Sequence, residues 1–329
     1  MAEGTGDGAS PLPFRGGAGG GGSSHQALLK VESPHPNPSP EGDGPSGGLT
    51  VSQALRAATA QLCATSDTAR LDAEVLMAHA LGVSRSDLLL RHMADPAPAA
   101  FAGLIERRAA HEPVAYIVGT QEFFGLSFQV SPAVLIPRAD SEVLVEAALA
   151  AAPAPHRVLG RVLDCGTGSG ALLLAVLAHR PEARGLGIDR SEEALAIARA
   201  NAQRLGLSDR AAFLRADWTQ PGWAEPLGAP FDLILANPPY VESEAELAPS
   251  VRDHEPAGAL FSGPEGLDDY RVLVPQLAGL LAPGGAALVE IGATQAADVL
   301  AIGAAAGLAG RVHRDLAGRE RTVEFATGG

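Results

Sequence analysis

The sequence predicts an α/β protein with a doubly wound parallel sheet, preceded by a small N-terminal helical bundle and a connecting β-hairpin. Three observations predict this fold class. From Arg161 onward, short apolar strands alternate with helical segments, as in a doubly wound parallel sheet. Residues 50–110 show apolar residues at helical spacing. Residues 113–130 are rich in aromatic and branched residues, interrupted by glycines, which is typical of a hairpin.

Composition and charge exclude several classes of protein. The chain has 329 residues, of which 46% are hydrophobic, enough for one large core and a smaller one. Its formal net charge is −14, whereas nucleic acids are bound mainly through Lys and Arg, so we expect no direct nucleic-acid partner. No apolar run is long enough to span a membrane, and the first 22 residues lack the features of a secretory signal.

Cysteine content indicates the compartment. With only Cys63 and Cys165, no disulfide framework is implied, and a reducing cytoplasmic location is predicted for what we expect to be a monomer. His111 and His254 lack metal-ligand spacing and a partner cysteine, so no metal site is predicted.

Four segments are predicted along the chain. Residues 1–48 are rich in Gly, Pro and Ser and are expected to form a disordered tail. Residues 49–112 are predicted to form the helical bundle, residues 113–135 the hairpin linker and residues 136–329 the α/β domain.

The bundle carries clear signals for where its helices begin and end. Gly82 is predicted to end one helix, and Ser84 to cap the next, with Asp87 in its first turn. The first of these helices is predicted from apolar residues at helical spacing: Leu71, Val75, Leu76 and Ala80.

The α/β domain is predicted element by element from its apolar runs and caps. Strands are expected at residues 162–164, 185–189, 211–214, 231–235 and 286–291, and helices at 140–151, 171–179, 192–205 and 267–281. Ligands bind such sheets at the carboxyl ends of the strands, near the point where the strand order reverses.

A glycine-rich loop follows the first of these strands. In the run Asp164-Cys165-Gly166-Thr167-Gly168-Ser169-Gly170 the glycines permit a sharp turn and close approach of a ligand, and the helix start that follows favours an anionic group. Asp189 ends the next strand, 19 residues after Gly170, where a carboxylate can accept hydrogen bonds from both ribose hydroxyls.

The spacing of the glycines indicates which nucleotide-like cofactor the loop binds. An NAD fingerprint requires a third glycine where Ala171 stands, and no phosphate-binding loop of the G-x-x-x-x-G-K-[ST] type is present. The D-x-G-x-G-x-G spacing instead resembles the first motif of S-adenosyl-L-methionine methyltransferases. Asp217 and Trp218, which end a later strand, are expected to bracket an adenine ring, although a tryptophan there is equally compatible with the core.

The most specific motif is Asn237-Pro238-Pro239-Tyr240, directly after the buried strand at 231–235. Two prolines past a strand end cannot continue the ladder and form a rigid loop. The side-chain carbonyl of Asn237 and the backbone carbonyl of Pro238 can each accept one N–H of a planar NH₂ group, and Tyr240 offers it an aromatic face. Because the lone pair of such a nitrogen is delocalised, alignment toward a methyl donor supplies much of the rate.

These residues and others resemble the HemK-type protein-(glutamine) methyltransferases that modify peptide chain release factors. The resemblance spans residues 50–327. It is carried by the motifs at residues 71–74, 112–117, 122–124, 135–138, 164–170, 217–218, 237–240, 255–256, 266–270 and 319–321, together with Gly119 and Asp189. Cys165 and Ala139 depart from the usual Leu and Pro of the family.

The resemblance implies a helical domain that docks the release factor and a Rossmann-like S-adenosylmethionine methyltransferase domain. It implies methylation of the glutamine in a Gly-Gly-Gln loop. The cofactor site would comprise Gly166 to Gly170, Asp189, Asp217, Trp218 and Asn237. The glutamine would lie on Asn237 to Tyr240, with Asn237, Pro238 and Tyr240 as the catalytic group.

Several alternatives stay open from the sequence. The same chemistry suits glutamine methylation of a ribosomal protein, or methylation of a base amine in RNA or DNA. A cofactor-binding interaction protein without catalysis is a third class, which the intact Asn237 disfavours. Arg138 and Glu122 fit either the substrate entrance or an ordinary charged surface.

Overall fold

A computed structural model describes residues 48–151 and 159–328 of the chain. Apart from Gly48, the predicted tail lies outside the described residues. The helices are α1 (Val51–Leu62), α2 (Ala69–Leu81), α3 (Arg85–Arg91), α4 (Ala100–Ala109), α5 (Val114–Val118), α6 (Glu142–Ala150), α7 (Ala171–His179), α8 (Glu192–Arg204), α9 (Pro249–Arg252), α10 (Asp268–Leu277) and α11 (Ala296–Ala305). The strands are β1 (Thr120–Phe123), β2 (Leu126–Gln129), β3 (Arg161–Cys165), β4 (Arg184–Asp189), β5 (Ala211–Arg215), β6 (Phe231–Ala236), β7 (Leu281–Glu290), β8 (Leu308–Arg314) and β9 (Glu320–Thr327).

The N-terminal helices begin and end at the residues that the sequence indicates. Thr50 and Gln53 form a reciprocal capping box at the start of α1. Gly82 takes a left-handed conformation with φ of 66° after α2, and the Ser84 side chain accepts the backbone N–H of Asp87 at the start of α3. Both predicted helix boundaries are therefore confirmed.

The buried face of α2 differs from the apolar repeat of the sequence. Leu71 is 44% exposed, while Asp72 and Glu74 are buried. The two carboxylates can be buried because they are paired: Asp72 with Arg108 of α4 at 2.7 Å, and Glu74 with two arginines including Arg85. Ion pairs between helices thus override the apolar spacing in this bundle.

The hairpin is shorter than predicted. Residues Val114–Val118 form the short helix α5, although they were expected to be extended, and Gly119 ends it with φ of 79°. Tyr116 and Ile117 are buried in two different apolar clusters, and this burial offsets the β preference of their side chains. The antiparallel hairpin itself comprises only β1 and β2, in which Thr120 pairs with Gln129.

The central sheet has seven strands in the order β5-β4-β3-β6-β7-β9-β8. The first five of these are parallel, and β9 pairs antiparallel with both β7 and β8. The predicted Rossmann-like α/β class is confirmed. The strand order reverses between β3 and β6, so the carboxyl ends of these strands border the crevice where such sheets bind ligands.

Helices cover both faces of the sheet. One apolar cluster joins the sheet to α10 and α11 and contains Tyr270 and Phe325. The other joins it to α6 and α7 and contains Phe123 and Phe128 of the hairpin, which therefore packs onto the large domain. The predicted helix at 267–281 ends earlier, at Leu277, because Leu281 already pairs with Phe231 in the sheet.

Candidate active site

The glycine-rich loop joins β3 to α7 and is held from beneath. Gly166, Gly168 and Gly170 all have positive φ, which only glycine adopts readily. The backbone N–H groups of Gly166 and Thr167 both donate to the Ile188 carbonyl of β4. A Cβ added to Gly166 would lie 3.1 Å from the ring of Trp218, so this glycine also permits close packing of the indole.

Asp164 lies at the base of this loop and is fully buried. Its Oδ2 accepts the hydroxyl of Thr167 at 2.6 Å, while Oδ1 has no hydrogen-bond partner among the described residues. Burial raises the pKa of Asp164 to about 7, and the nearby charge of Asp189 acts in the same direction. This carboxyl therefore supports the loop rather than facing solvent.

Asp189 ends β4 and connects two backbone segments at the rim of the cavity. Its Oδ2 accepts the N–H of Gly168 at 3.0 Å, and its Oδ1 accepts the N–H of Ser191 at 2.9 Å. A carboxylate oxygen has a second acceptor position, so each oxygen retains capacity for a ligand hydroxyl. Ser191 also caps α8 by accepting the N–H of Ala194, as its sequence position predicts.

Trp218 is fixed by contacts far from it in sequence. Its Nε1 donates to Oδ1 of Asp269 at 3.1 Å, and Oδ2 of the same carboxylate accepts the Ser262 hydroxyl at 2.8 Å. Its neighbour Asp217 accepts the hydroxyl and the backbone N–H of Thr219. The indole lies both against the core and on the cavity, so the two interpretations of this tryptophan from the sequence are compatible.

A cavity of about 270 Å³ opens at the carboxyl ends of β3, β4 and β6. It brings together eight of the predicted site residues: Gly166, Thr167, Gly168, Asp189, Asp217, Trp218, Asn237 and Pro239. The other four, Ser169, Gly170, Pro238 and Tyr240, lie in the same two loops but do not line it. The carbonyl of Ser169 instead accepts the side chain of Asn201 on α8.

The Asn-Pro-Pro-Tyr loop is held at its far end by residues that sequence reasoning missed. Gln295, just before α11, donates from Nε2 to the Tyr240 carbonyl at 3.1 Å and to the Gly266 carbonyl at 3.2 Å. Its Oε1 accepts the Gly292 N–H at 3.0 Å. Gly266 has φ of 69°, and a Cβ there would lie 2.3 Å from the Tyr240 oxygen, so any larger residue would displace the loop.

Arg138 and Glu122 have different surroundings. Arg138 lines the cavity and forms an ion pair with the buried carboxylate of Glu255, whose other oxygen accepts the Ile136 N–H. Glu122 accepts the N–H of Gly125 in the hairpin turn, and it does not line the cavity. Arg138 therefore belongs to the cavity wall, whereas Glu122 belongs to the turn.

Glu290 is a second residue that sequence reasoning missed. It ends β7 beside the Asn-Pro-Pro-Tyr loop and is 3% exposed. The sequence did contain a signal, because a charged residue stands at the second-last position of the apolar strand predicted at 286–291, at the same carboxyl edge as Asp164, Asp189 and Asn237.

Comparison with known proteins identifies the family. A protein named release factor glutamine methyltransferase from Caulobacter vibrioides is 44% identical over 264 residues, covering 78% of this chain and 89% of the relative. One of the same name from Bradyrhizobium diazoefficiens is 43% identical over 295 residues, covering 85% and 95%. The chain belongs to the release factor glutamine methyltransferase family.

The family assignment agrees with two domain matches. The PrmC N-terminal domain family matches residues 53–119, and a methyltransferase domain family matches residues 156–278. Among solved structures, a release factor-specific protein-(glutamine-N5) methyltransferase from Alicyclobacillus acidocaldarius aligns with a TM-score of 0.38 and 26% identity, covering 61% of this chain and 100% of the other.

The described residues contain neither a membrane-spanning helix nor a cluster of metal ligands. No helix there is both long and apolar enough to cross a lipid bilayer. Across the same residues, no cluster of three or more His, Cys, Asp or Glu side chains is arranged to hold a metal ion.

Proposed function

We propose that this protein transfers a methyl group from S-adenosyl-L-methionine to the side-chain amide nitrogen of the glutamine in the Gly-Gly-Gln motif of peptide chain release factors. The observation that carries the proposal is the placement of Asn237 and Pro239 on the same cavity as the glycine-rich loop and Asp189. A planar NH₂ and a methyl donor can meet in such a cavity. Membership of the release factor glutamine methyltransferase family supports the same substrate.

The residues around the cavity fit this cofactor. Asp189 has free acceptor capacity for ribose hydroxyls at the rim, and the Trp218 ring provides a flat apolar surface against Gly166. The loop from Gly166 to Gly170 opens α7, where helix-terminal N–H groups favour a carboxylate. When bound, S-adenosylmethionine supplies an electrophilic methyl group on a sulfonium.

The chain's own contribution is to hold the acceptor nitrogen. Asn237 Oδ1 and the Pro238 carbonyl each accept one N–H of the glutamine amide, and the Tyr240 ring packs against its plane. Two acceptors direct the weakly nucleophilic nitrogen into the cavity and increase its electron density. As the amide nitrogen gains the methyl carbon, the bond from that carbon to the sulfonium would break and leave a neutral thioether. The nitrogen loses one proton to solvent, and no charged general base from this chain is required.

The ionisation of Tyr240 is consistent with a passive surface role. Burial, together with the charges of Glu290 and Asp140, raises the pKa of the Tyr240 hydroxyl well above its usual value. The phenol therefore stays neutral at physiological pH and does not act as a phenolate base.

Each segment of the chain has a proposed role in this reaction. Residues 49–112 would dock the release factor, residues 113–135 would connect the two parts, and residues 136–329 would perform the transfer. The formal charge of −14 favours a protein partner over nucleic acid. We propose a monomer that acts in the cytoplasm, where translation takes place.

One experiment separates the candidate substrates. Methyl transfer from labelled cofactor is measured to a release factor, to the same factor with the Gly-Gly-Gln glutamine replaced by Ala, to ribosomal proteins and to RNA. The expected result is transfer to the intact factor only. Equal transfer to the factor lacking that glutamine would contradict the assigned residue, and preferred transfer to a ribosomal protein or RNA would replace the assigned substrate.

A further inference from the structure

Glu290 lies beside Asn237 in the sheet. The parallel register pairs Ala236, the last residue of β6, with Val289 of β7. The residues that come next along the two chains, Asn237 and Glu290, therefore occupy neighbouring positions. Burial of a carboxyl group at this depth is costly unless other groups compensate for it. Its neighbours therefore indicate what the side chain does.

The groups that face the Glu290 carboxyl come from three elements. The side chains of Ser141 and Asn237 favour the ionised form of this carboxyl, and the charges of Asp140 and Arg321 also act on it. The pKa of Glu290 is raised to about 7, mainly by burial and to a smaller extent by the charge of Asp140. Ser141, Arg321 and Asn237 act in the opposite direction and lower this pKa. Ser141 and Asn237 themselves line the cavity, so Glu290 forms a layer directly behind its wall.

The backbone at Glu290 is held firmly in place. The Tyr270 hydroxyl donates to the Glu290 carbonyl at 2.9 Å, and the next residue, Ile291, donates to the Arg321 carbonyl. Thr322 of β9 pairs with Glu290 in the antiparallel register on the other side. Among residues 48–151 and 159–328, Glu290 Oε2 has no hydrogen-bond partner. The carboxyl is thus fixed in position and retains spare acceptor capacity next to Asn237.

We propose that Glu290 is a positioning residue: its carboxylate accepts the side-chain N–H of Asn237 and thereby turns Asn237 Oδ1 toward the cavity. A primary amide has nearly the same shape when it is rotated by 180°, so its hydrogen-bond partners decide which end faces the substrate. An amide turned the other way would present N–H to the N–H of the glutamine. The role rests on the proposed function, because that function requires Asn237 to be an acceptor.

Protonation of Glu290 weakens this control. An ionised carboxylate only accepts hydrogen bonds, whereas a protonated carboxyl can also donate to Asn237 Oδ1 and stabilise the unproductive orientation. The productive orientation is therefore favoured as pH rises through the pKa of Glu290. Among the described residues, the charged neighbours that act on this carboxyl are Asp140 and Arg321. The phenols of Tyr240 and Tyr270 also interact electrostatically with it, but burial raises the pKa of both well above its usual value, so they stay neutral across this range.

The amide itself provides the test. The sequence contains three asparagines, Asn37, Asn201 and Asn237, so selective labelling of asparagine side-chain nitrogen produces three readily assigned NH₂ signals. In the parent protein, the Asn237 signal is expected to shift with pH with a midpoint near 7, and in Glu290→Gln this shift is expected to vanish. Asn201 is an internal control, because its amide is buried between the carbonyls of Gln129 and Ser169. A pH-independent Asn237 signal in the parent would overturn the proposal, even if the variant failed to fold.

Kinetics add a second readout. Glu290→Gln is expected to lower single-turnover methyl transfer by about 10-fold to 100-fold, with cofactor affinity little changed, because only alignment is lost. The parent rate should fall on the acid side of pH 7, and the variant should lose that acid limb. The matched control is Glu324→Gln, which removes a carboxylate that is paired with Arg311 and His313 away from the cavity.

The outcomes separate this proposal from the proposed function. An unchanged rate and an unchanged acid limb in Glu290→Gln would overturn the positioning role while leaving the substrate assignment intact. If the parent protein transferred no methyl group to a release factor, the proposed function would fail. The resonance titration of Asn237 would then still show whether Glu290 sets the orientation of the Asn237 amide.

Discussion

Gln295 donates a hydrogen bond from Nε2 to the backbone oxygen of Tyr240 at 3.1 Å. This contact joins the start of α11 to the end of the Asn-Pro-Pro-Tyr loop across 55 residues of sequence. The rigidity of the loop therefore has two sources: its two prolines, and a side chain that precedes the distant helix α11 and holds the end of the loop.

Gln295→Ala should loosen the loop without touching the cofactor side of the cavity. We expect turnover to fall by about tenfold, because misplacement of a positioning group by a fraction of an ångström is costly in rate. Cofactor affinity, measured by calorimetry, should stay within about threefold, since Gln295 does not line the cavity. Gln220→Ala, at an exposed site, is the matched control. Full turnover in Gln295→Ala would show that the prolines suffice.

Asp189→Ala should weaken binding of S-adenosylmethionine. The change removes the carboxylate proposed to accept the ribose hydroxyls and also the partner of the Gly168 N–H, so a loss of about tenfold or more is expected. Asp189→Asn, which keeps the shape, should lose less, and Asp209→Ala at an exposed loop position should lose nothing. Calorimetry that shows unchanged affinity in Asp189→Ala would remove this residue from the site, and measurable NAD binding would change the cofactor.

Asn237→Ala should impair catalysis much more than cofactor binding. Loss of one preorganised contact to a transition state costs about 2.7–4 kcal/mol, or roughly 10²–10³ in rate. Asn237→Asp retains an acceptor and is expected to be more active than the Ala variant but well below the parent. Single-turnover transfer to a release factor measures both. Transfer by Asn237→Ala at the parent rate would refute the acceptor model.

Two buried carboxyls should make stability depend on pH. Burial raises the pKa of both Asp164 and Glu290 to about 7, above the usual values that the unfolded chain has. Between about pH 4.5 and pH 7 the folded state therefore holds more protons than the unfolded state, so stability falls as pH rises through this window and levels off above it.

Asp164→Asn and Glu290→Gln isolate these contributions. The free energy of unfolding of the parent minus that of each variant should decline across the window, by on the order of 3 kcal/mol for each group. Urea unfolding at several pH values measures the difference. A difference that does not change between pH 4.5 and pH 7 would mean that the carboxyls are ionised in the folded protein.

The helical bundle should depend on the ion pair between Arg108 and Asp72. Both side chains are almost buried, and Asp72 also accepts the hydroxyls of Ser66 and Thr68. Arg108→Met leaves a buried charge without its partner and is expected to cost about 3–5 kcal/mol. The double variant Asp72→Asn/Arg108→Met should recover part of that loss. If Arg108→Met and the double variant lost the same free energy of unfolding in denaturant, the pair would contribute through packing alone.

Local patterns in the sequence determined most of the architecture. Alternating strands and helices from Arg161 predicted the parallel sheet, and Gly82, Ser84 and Ser191 indicated where helices end or begin. The glycine-rich loop, Asp189 and the Asn-Pro-Pro-Tyr tetrapeptide lie at the carboxyl ends of the parallel strands β3, β4 and β6, so their meeting at one edge of the sheet could be anticipated. These features are predictable because each depends on a few neighbouring residues and on the rule that parallel strands share a carboxyl edge.

Contacts between distant segments were decided only by the tertiary structure. The helical state of Val114–Val118 and the exposure of Leu71 follow from packing and ion pairing that override local preference. The arrangement of α10, α11 and β7 around β6 brings three residues to the site: Asp269, Gln295 and Glu290. The sequence around each of them does not indicate which strands are neighbours in the sheet. Hydrogen bonds between residues 50 or more positions apart depend on the order and register of the strands. Strand order and register are determined by packing throughout the core and not by any single sequence motif.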